Sequence, residues 1–274
     1  MTCLYPKFLG GWNRPTLISC GRCIVCRENR IKDWYFRLTA ELGYCDYSYT
    51  LTLTYDDEFL PMTGDLCISD VQKFFKRLRK DAGKDIEYRY YYAGEYGERG
   101  GRPHYHVLLF CYTKLEEPKI KERVEKCWTV PAGKNSKRIG HIHYDSMTKK
   151  SIRYTLDYLQ KDYFRHMASK NVAPFQRMSK GLGLSYLLDS EKRISDLGYV
   201  TIGKTKFRVP KYYRKKSALV NESLNEKMSE YMSDGLNDTE LEERYRDKCR
   251  GITSKALQVE RNIKQRKRLK RGGL

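Results

Sequence analysis

Thr50, Thr52 and Thr54 alternate with Leu51, Leu53 and Tyr55, so residues 47–55 read as a strand with one polar face. The period then lengthens. Val71, Phe74, Phe75 and Leu78 form an apolar stripe at helical spacing, with Ser69 and Asp70 available as caps. Lys73, Lys76, Arg77, Arg79 and Lys80 occupy the other side. Two more strand-like runs, 88–95 and 104–111, are joined by a short link carrying Gly97, Gly100, Gly101 and Pro103, which predicts an antiparallel hairpin. Ile120, Val124 and Trp128 mark a helix within 116–128, and a short strand follows at 138–144. The order is βαββαβ, which predicts an α+β chain with a ferredoxin-like or RRM-like antiparallel sheet and helices on one face.

Two further helices flank this unit. Ile31, Trp34, Tyr35, Leu38 and Leu42 predict one over 27–42, ending at Gly43. The other, 148–165, carries Ile152, Leu156, Leu159 and Tyr163 as one stripe. Tyr154, Tyr158, Lys161 and Arg165 repeat the same spacing two residues on, nearly opposite. This tyrosine-bearing helix is expected to cover the open face of the sheet. The pattern loosens after residue 215. Residues 1–215 therefore read as one domain that opens with a cysteine-bearing segment, 1–30, and 216–274 as a charged helical extension. Its tail, 261–274, has seven basic and no acidic side chains.

Charge turns a generic α+β domain into a polyanion binder. Lys and Arg number 54 against 34 Asp and Glu, a net charge of +20, which points to nucleic acid. Twenty-three tyrosines offer faces on which unpaired bases can stack. Candidate DNA contacts are Arg102, Arg165, Lys180, Lys211, Tyr212, Tyr213 and Arg214. The stretch 179–184, with Lys180, Gly181 and Gly183, reads as a glycine-hinged basic loop but lacks the frame of a P-loop. Nine cysteines, an odd number, argue against a secreted disulfide framework, and neither a signal peptide nor a membrane span is legible. An intracellular protein with reduced thiols is expected.

The densest chemistry lies at His104-Tyr105-His106. On a strand, His104 and His106 share a face about 6.6 Å apart, close enough to converge on one metal ion. The hairpin brings Glu95 to the start of that strand as a third ligand or, on the simpler reading, a solvated strand-end charge. A second pair, His141 and His143, lacks a matching carboxylate and ranks behind the first. Cys20-x-x-Cys23-x-x-Cys26 with Cys3 reads as a thiolate knuckle for structural zinc, with iron–sulfur ligation or plain buried thiols as alternatives. Tyr154 and Tyr158, off the aliphatic stripe and followed by Lys161, read as nucleophiles beside the metal site, or else as surface aromatics.

Pro103-His104-Tyr105-His106, the Tyr154-x-x-x-Tyr158-x-x-Lys161 helix, Gly94-Glu95-Tyr96-Gly97, Thr52-Leu53-Thr54-Tyr55 and the cysteine knuckle together resemble a known family. It is that of the replication initiators of gokushovirus-type microviruses, single-stranded DNA phages, within the His-hydrophobe-His (HUH) endonuclease superfamily. The resemblance runs over about residues 1–215 and makes that region the endonuclease domain. Tyr105 is a polar aromatic at the hydrophobe position, and His141 and His143 fall outside the pattern. The resemblance implies a metal-dependent endonuclease and ligase that nicks a single-stranded origin through a tyrosine. It would stay joined as a 5′-phosphotyrosine to start and end rolling-circle replication in the host bacterial cytoplasm, alongside host replication proteins. Mg²⁺ or Mn²⁺ on His104, His106 and Glu95 would assist the attack, and Lys161 would stabilise developing charge. The competing expectation is a non-catalytic, zinc-containing nucleic-acid-binding protein.

Overall fold

A computed structural model describes residues 3, 5, 7–9, 16–97, 101–116, 118–132, 135–165, 172–217 and 227–228. In chain order the elements are β1 (Lys7–Leu9), β2 (Thr16–Ile18), α1 (Ile24–Glu41), β3 (Tyr47–Leu53), α2 (Ile68–Ala82), β4 (Ile86–Tyr96) and β5 (Pro103–Thr113). They continue with α3 (Ile120–Cys127), β6 (Thr129–Ala132), β7 (Asn135–Arg138), β8 (Ile142–Ser146), α4 (Lys149–Arg165), β9 (Phe175–Met178), α5 (Leu184–Leu197), β10 (Tyr199–Ile202), β11 (Thr205–Arg208) and α6 (Lys211–Lys216). The extension expected over 216–274, with its basic tail, lies outside the described residues except at 216–217 and 227–228. Among the described residues, no helix is long and apolar enough to cross a membrane.

The centre is a five-stranded antiparallel sheet in the order β8-β3-β5-β4-β9. Period-two alternation sends Leu51, Leu53, Tyr105, Val107 and Leu109 to one face. There they bury against Val71, Phe74, Phe75 and Leu78 of α2 and Ile120 and Val124 of α3. Tyr105 is fully buried, yet its hydroxyl is satisfied: it accepts from the Cys67 N–H at 2.7 Å and donates to the Cys67 carbonyl at 3.0 Å. A polar aromatic is therefore no burden at that position. α2 starts one residue earlier than Ser69 would set it, after Cys67, and no side chain caps it. Asp70, a cap candidate in the sequence, instead accepts from the Tyr55 hydroxyl at 3.0 Å.

The strand expected over 138–144 is two strands. Residues 135–138 fold back on β6 as a separate hairpin, and β8 begins at Ile142. Gly140 stands between them, where a Cβ would lie 1.9 Å from the Thr54 carbonyl oxygen. Only glycine lets the chain pass so close to β3.

Helices cover both faces of the sheet, not one. On the second face α4, expected there, is joined by α1, to which the sequence pattern assigned no place. Ile31 and Leu38 of α1, Ile152 and Leu156 of α4 and Tyr91, Leu108 and Phe110 of the sheet share one buried cluster. Phe36, roughly opposite Leu38 on α1, packs into another cluster with Leu187, Ile194, Val200, Val209 and Tyr213. α1 is thus buried on two sides.

The end of α1 also pins the loop over 179–184. Glu41 is fully buried and receives Arg89 Nη1 at 3.2 Å, together with the Tyr112 hydroxyl and the Gly183 N–H. Arg37 donates through Nε and Nη2 to the Leu182 carbonyl at 3.1 and 2.8 Å. Gly183, at φ +77°, lies so close that a Cβ would stand 3.0 Å from that of Arg37. The loop is clamped rather than hinged. Glu41→Ala strands three donors and should lower the unfolding free energy by about 3 kcal/mol in urea titrations, as expected for losing one partner of a buried pair. A loss under about 0.5 kcal/mol, typical of a surface change, would remove Glu41 from this role.

Candidate active site

The hairpin register places Glu95 directly opposite His104 and Ala93 opposite His106. Both imidazoles project from the second face, where alternation puts them with Leu108 and Phe110. Glu95 Oε1 lies 2.6 Å from His104 Nε2 and 2.9 Å from His106 Nε2, and all three groups are largely buried. One ligand atom from each falls within 4.8 Å of the others, so Glu95, His104 and His106 form a group that could hold a metal ion.

The far side of each ring is held as well. His104 Nδ1 meets the Arg102 carbonyl at 3.2 Å, and His106 Nδ1 meets Thr52 Oγ1 at 3.3 Å. A carbonyl oxygen only accepts, so His104 Nδ1 carries the proton. In a neutral ring, the Nε2 lone pair would then face a carboxylate oxygen at 2.6 Å. That contact is attractive only with positive charge present, either an imidazolium proton or a cation shared by the three groups. The donor set fits a divalent metal. Burial pushes the Glu95 carboxyl up, but hydrogen bonds from His104 and His106 outweigh it and bring it down to about 2.

Helix α4 delivers the two tyrosines to this triad. The Tyr158 ring stacks on His106 with centroids 4.6 Å apart and 8° between planes. Tyr154 stands edge-on to the same imidazole at 5.8 Å and to Tyr158 at 4.9 Å. Their surroundings differ: Tyr158 is 6% exposed and Tyr154 54%. Burial raises the Tyr158 phenol far above its ordinary value, and its hydrogen bond to Tyr154 and the charge of Glu95 add to the shift. Lys161 and Arg165 belong to α4, but their side chains lie outside the described residues.

Other candidates fall elsewhere. His143 pairs with Thr52, which in turn pairs with His106, so His143 sits two strands from the triad and is exposed. His141 reaches Asp56 at 3.4 Å. Neither is among the triad's ligand atoms. The Arg102 guanidinium holds the hairpin mouth, meeting Asp57 at 2.5 Å and the Tyr55 carbonyl at 2.6 Å. Lys180 and Lys211 are exposed. The Tyr212 ring lies under the Arg37 guanidinium at 3.8 Å. Tyr213 corrects the sequence reading: it is fully buried, and its hydroxyl donates to the Gly183 carbonyl at 2.6 Å, so it offers no face to a base. Arg214 Nε is buried without a hydrogen-bond partner among the described residues, and burial lowers its pKa. Cys3, Cys20, Cys23 and Cys26 gather around the start of α1.

Thr52 is a site residue that sequence reasoning placed in a motif without assigning it a role. Its place in the alternating threonines marks it as facing away from Leu51 and Leu53. That this is the histidine face follows only once β3 is paired with β5.

An antiparallel sheet carrying this triad beneath a tyrosine helix coincides with a family of replication proteins. The family model for replication-associated proteins of the ORF2 type matches residues 48–163, from β3 into α4. The chain is 31% identical over 218 residues to the replication-associated protein ORF2 of Spiroplasma virus 4, covering 73% of this chain and 67% of that protein. It is 28% identical to the replication-associated protein VP4 of Bdellovibrio phage phiMH2K, over 71% of this chain and 65% of the relative. With the replication-associated protein ORF4 of Chlamydia phage 1 it shares 25% identity over 72% of this chain and 52% of the relative. The chain belongs to this microvirus-type family of phage replication-associated proteins. No solved structure matches it.

The sign of the acid response follows from Glu95. A carboxyl depressed from 4.5 to about 2 contributes stability that is full above the unfolded-state value and lost as pH falls through about 2. Metal-free Glu95→Gln should therefore have a lower denaturation midpoint than wild type at pH 6, and the gap should close toward pH 2. A gap independent of pH would show that the carboxylate is not the group held by the imidazoles.

Proposed function

We propose that the chain is a metal-dependent endonuclease and ligase that nicks a single-stranded replication origin through a tyrosine and rejoins it, starting and ending rolling-circle replication. One observation carries the reading: two phenols and three ligand side chains converge on a single imidazole, that of His106. We further read strands β8-β3-β5-β4 with α2 and α3 as a ferredoxin-like βαββαβ unit, residues 1–215 as the HUH endonuclease domain and 216–274 as its extension. The excess of basic side chains suits a DNA partner, with exposed Lys180 and Lys211 and the basic side of α2 among the contacts. Host replication proteins would be further partners, and the host bacterial cytoplasm the place of action.

Glu95, His104 and His106 would hold the divalent ion, Mg²⁺ or, better matched to two imidazoles, Mn²⁺. When bound, it would supply positive charge at the scissile phosphate. Thr52 and the Arg102 carbonyl keep both Nε2 atoms aimed at the ligand position. Exposed Tyr154 makes the first attack: its hydroxyl loses a proton and bonds to phosphorus, and the 3′ oxygen leaves and takes up a proton. The strand's 5′ phosphate stays on the tyrosine. Lys161 would steady the charge on the phosphoryl group. Tyr158, held in reserve on His106, makes the second attack, and a free 3′ hydroxyl reverses the bond to close the circle. A mere binder would use the same basic surface without the covalent step.

Incubation with origin-bearing single-stranded DNA and Mn²⁺ should give an adduct that survives denaturing gels. Tyr154→Phe and Tyr158→Phe should each cleave more slowly than wild type, with the larger loss in Tyr154→Phe, and the double variant should form no adduct. His104→Ala and His106→Ala should abolish cleavage while a mobility shift persists. A shift with no adduct in the wild type would establish the binder. Thr52→Val frees one imidazole and should raise the Mn²⁺ concentration for half-maximal cleavage about tenfold, the low end of losses at residues supporting ligands. An unchanged metal titration would leave Thr52 a packing residue.

A further inference from the structure

A second group of ligands stands at the start of α1, built differently from the triad. Cys3 Sγ lies 3.9 Å from Cys23 Sγ, and Cys20 Sγ lies 3.9 Å from Cys26 Sγ. All four sulfurs fall within 4.8 Å of one another. Four thiolates about 2.3 Å from one tetrahedral ion would be separated by about 3.8 Å. A disulfide needs about 2.05 Å between sulfurs, and these cysteines are free. An iron–sulfur cubane spreads its thiolates over four separate irons and would hold them farther apart than a single ion does.

The backbone is arranged for thiolates. The Cys20 N–H donates to Cys3 Sγ at 3.2 Å, and the N–H groups of Arg22 and Cys23 donate to Cys20 Sγ at 3.4 and 3.3 Å. Gly21, at φ +72°, makes the turn that lets them point back at the sulfur. Cys23 is the N-cap of α1 and Cys26 lies three residues on, so helix geometry sets both on one side. Besides these thiols the local buried cluster contains only Val25, too little apolar surface to hold a chain terminus by packing.

We propose that Cys3, Cys20, Cys23 and Cys26 bind one structural zinc ion, separate from the ion of the histidine site. Four soft thiolates in a closed tetrahedron leave no position for substrate. The ion would staple the N-terminal segment to the first turn of α1. Ile31, only five residues or about 7.5 Å beyond Cys26, enters the cluster that seats α4, so the staple supports the wall behind the tyrosines.

Metal analysis of the purified full chain should find about one zinc per chain, in the wild type and equally in the His104→Ala/His106→Ala variant. Cys20→Ser/Cys26→Ser should lose it. X-ray absorption on the wild type provides a test that does not depend on the cysteine variant folding, and should show four sulfur neighbours at about 2.3 Å. Removing zinc with a chelator should lower the melting temperature of the wild type, and zinc alone should restore it where Mn²⁺ does not. Wild-type protein without zinc, an iron–thiolate absorption band, or a zinc with nitrogen neighbours that disappears in the histidine variant would each overturn the assignment.

Discussion

The antiparallel register of β4 on β5 is the constraint on which the site depends. It sets Glu95 across from His104 and leaves His106 two residues further along the same face. A slip of two residues would keep every side chain on its face but carry the carboxylate about 6.6 Å from the imidazoles. The register is protected from both sides. Tyr105, Val107 and Leu109 lock one face into the α2–α3 core, while Leu108 and Phe110 lock the other beneath α1 and α4. A buried carboxylate held between two imidazoles is costly unless positive charge is shared among them. The core packing that enforces the register is therefore what makes a metal-ligating group possible there.

The same packing creates the asymmetry of the tyrosines. Ile152 and Leu156 seat α4 on the sheet and turn the intervening positions toward His106. One turn apart, Tyr158 becomes a ring stacked in a dry niche and Tyr154 one open to solvent. Two chemically identical side chains thus acquire different proton affinities and access from the slope of a helix against a strand. α1 supports this arrangement from behind, and its buried Glu41 ties the strand end at Arg89 to the loop at Gly183.

The two ligand groups also divide by chemistry. Carboxylate and imidazoles suit harder ions with open positions, whereas thiolates suit a closed, soft site. They are built by different means as well. The triad comes from strands paired across a hairpin, and the knuckle from a turn entering a helix, closed by a residue from the chain's beginning.

Much of the site is written locally. Alternation around His104 and His106, the glycines of the link, the tyrosine spacing on α4 and the Cys20-x-x-Cys23-x-x-Cys26 steps all follow from short-range periodicity, which a linear sequence displays directly. Tertiary structure decided what depends on partners distant in the chain. The sequence pattern marks Thr52 as facing away from the α2 core, but only pairing with β5 brings it to His106. Arg102 and Tyr213 look like DNA contacts by composition, yet a carboxylate at Asp57 and a core around Phe36 claim them. α1 lacks a single apolar stripe because two separate cores bury it, and such a helix has no one face for periodicity to report.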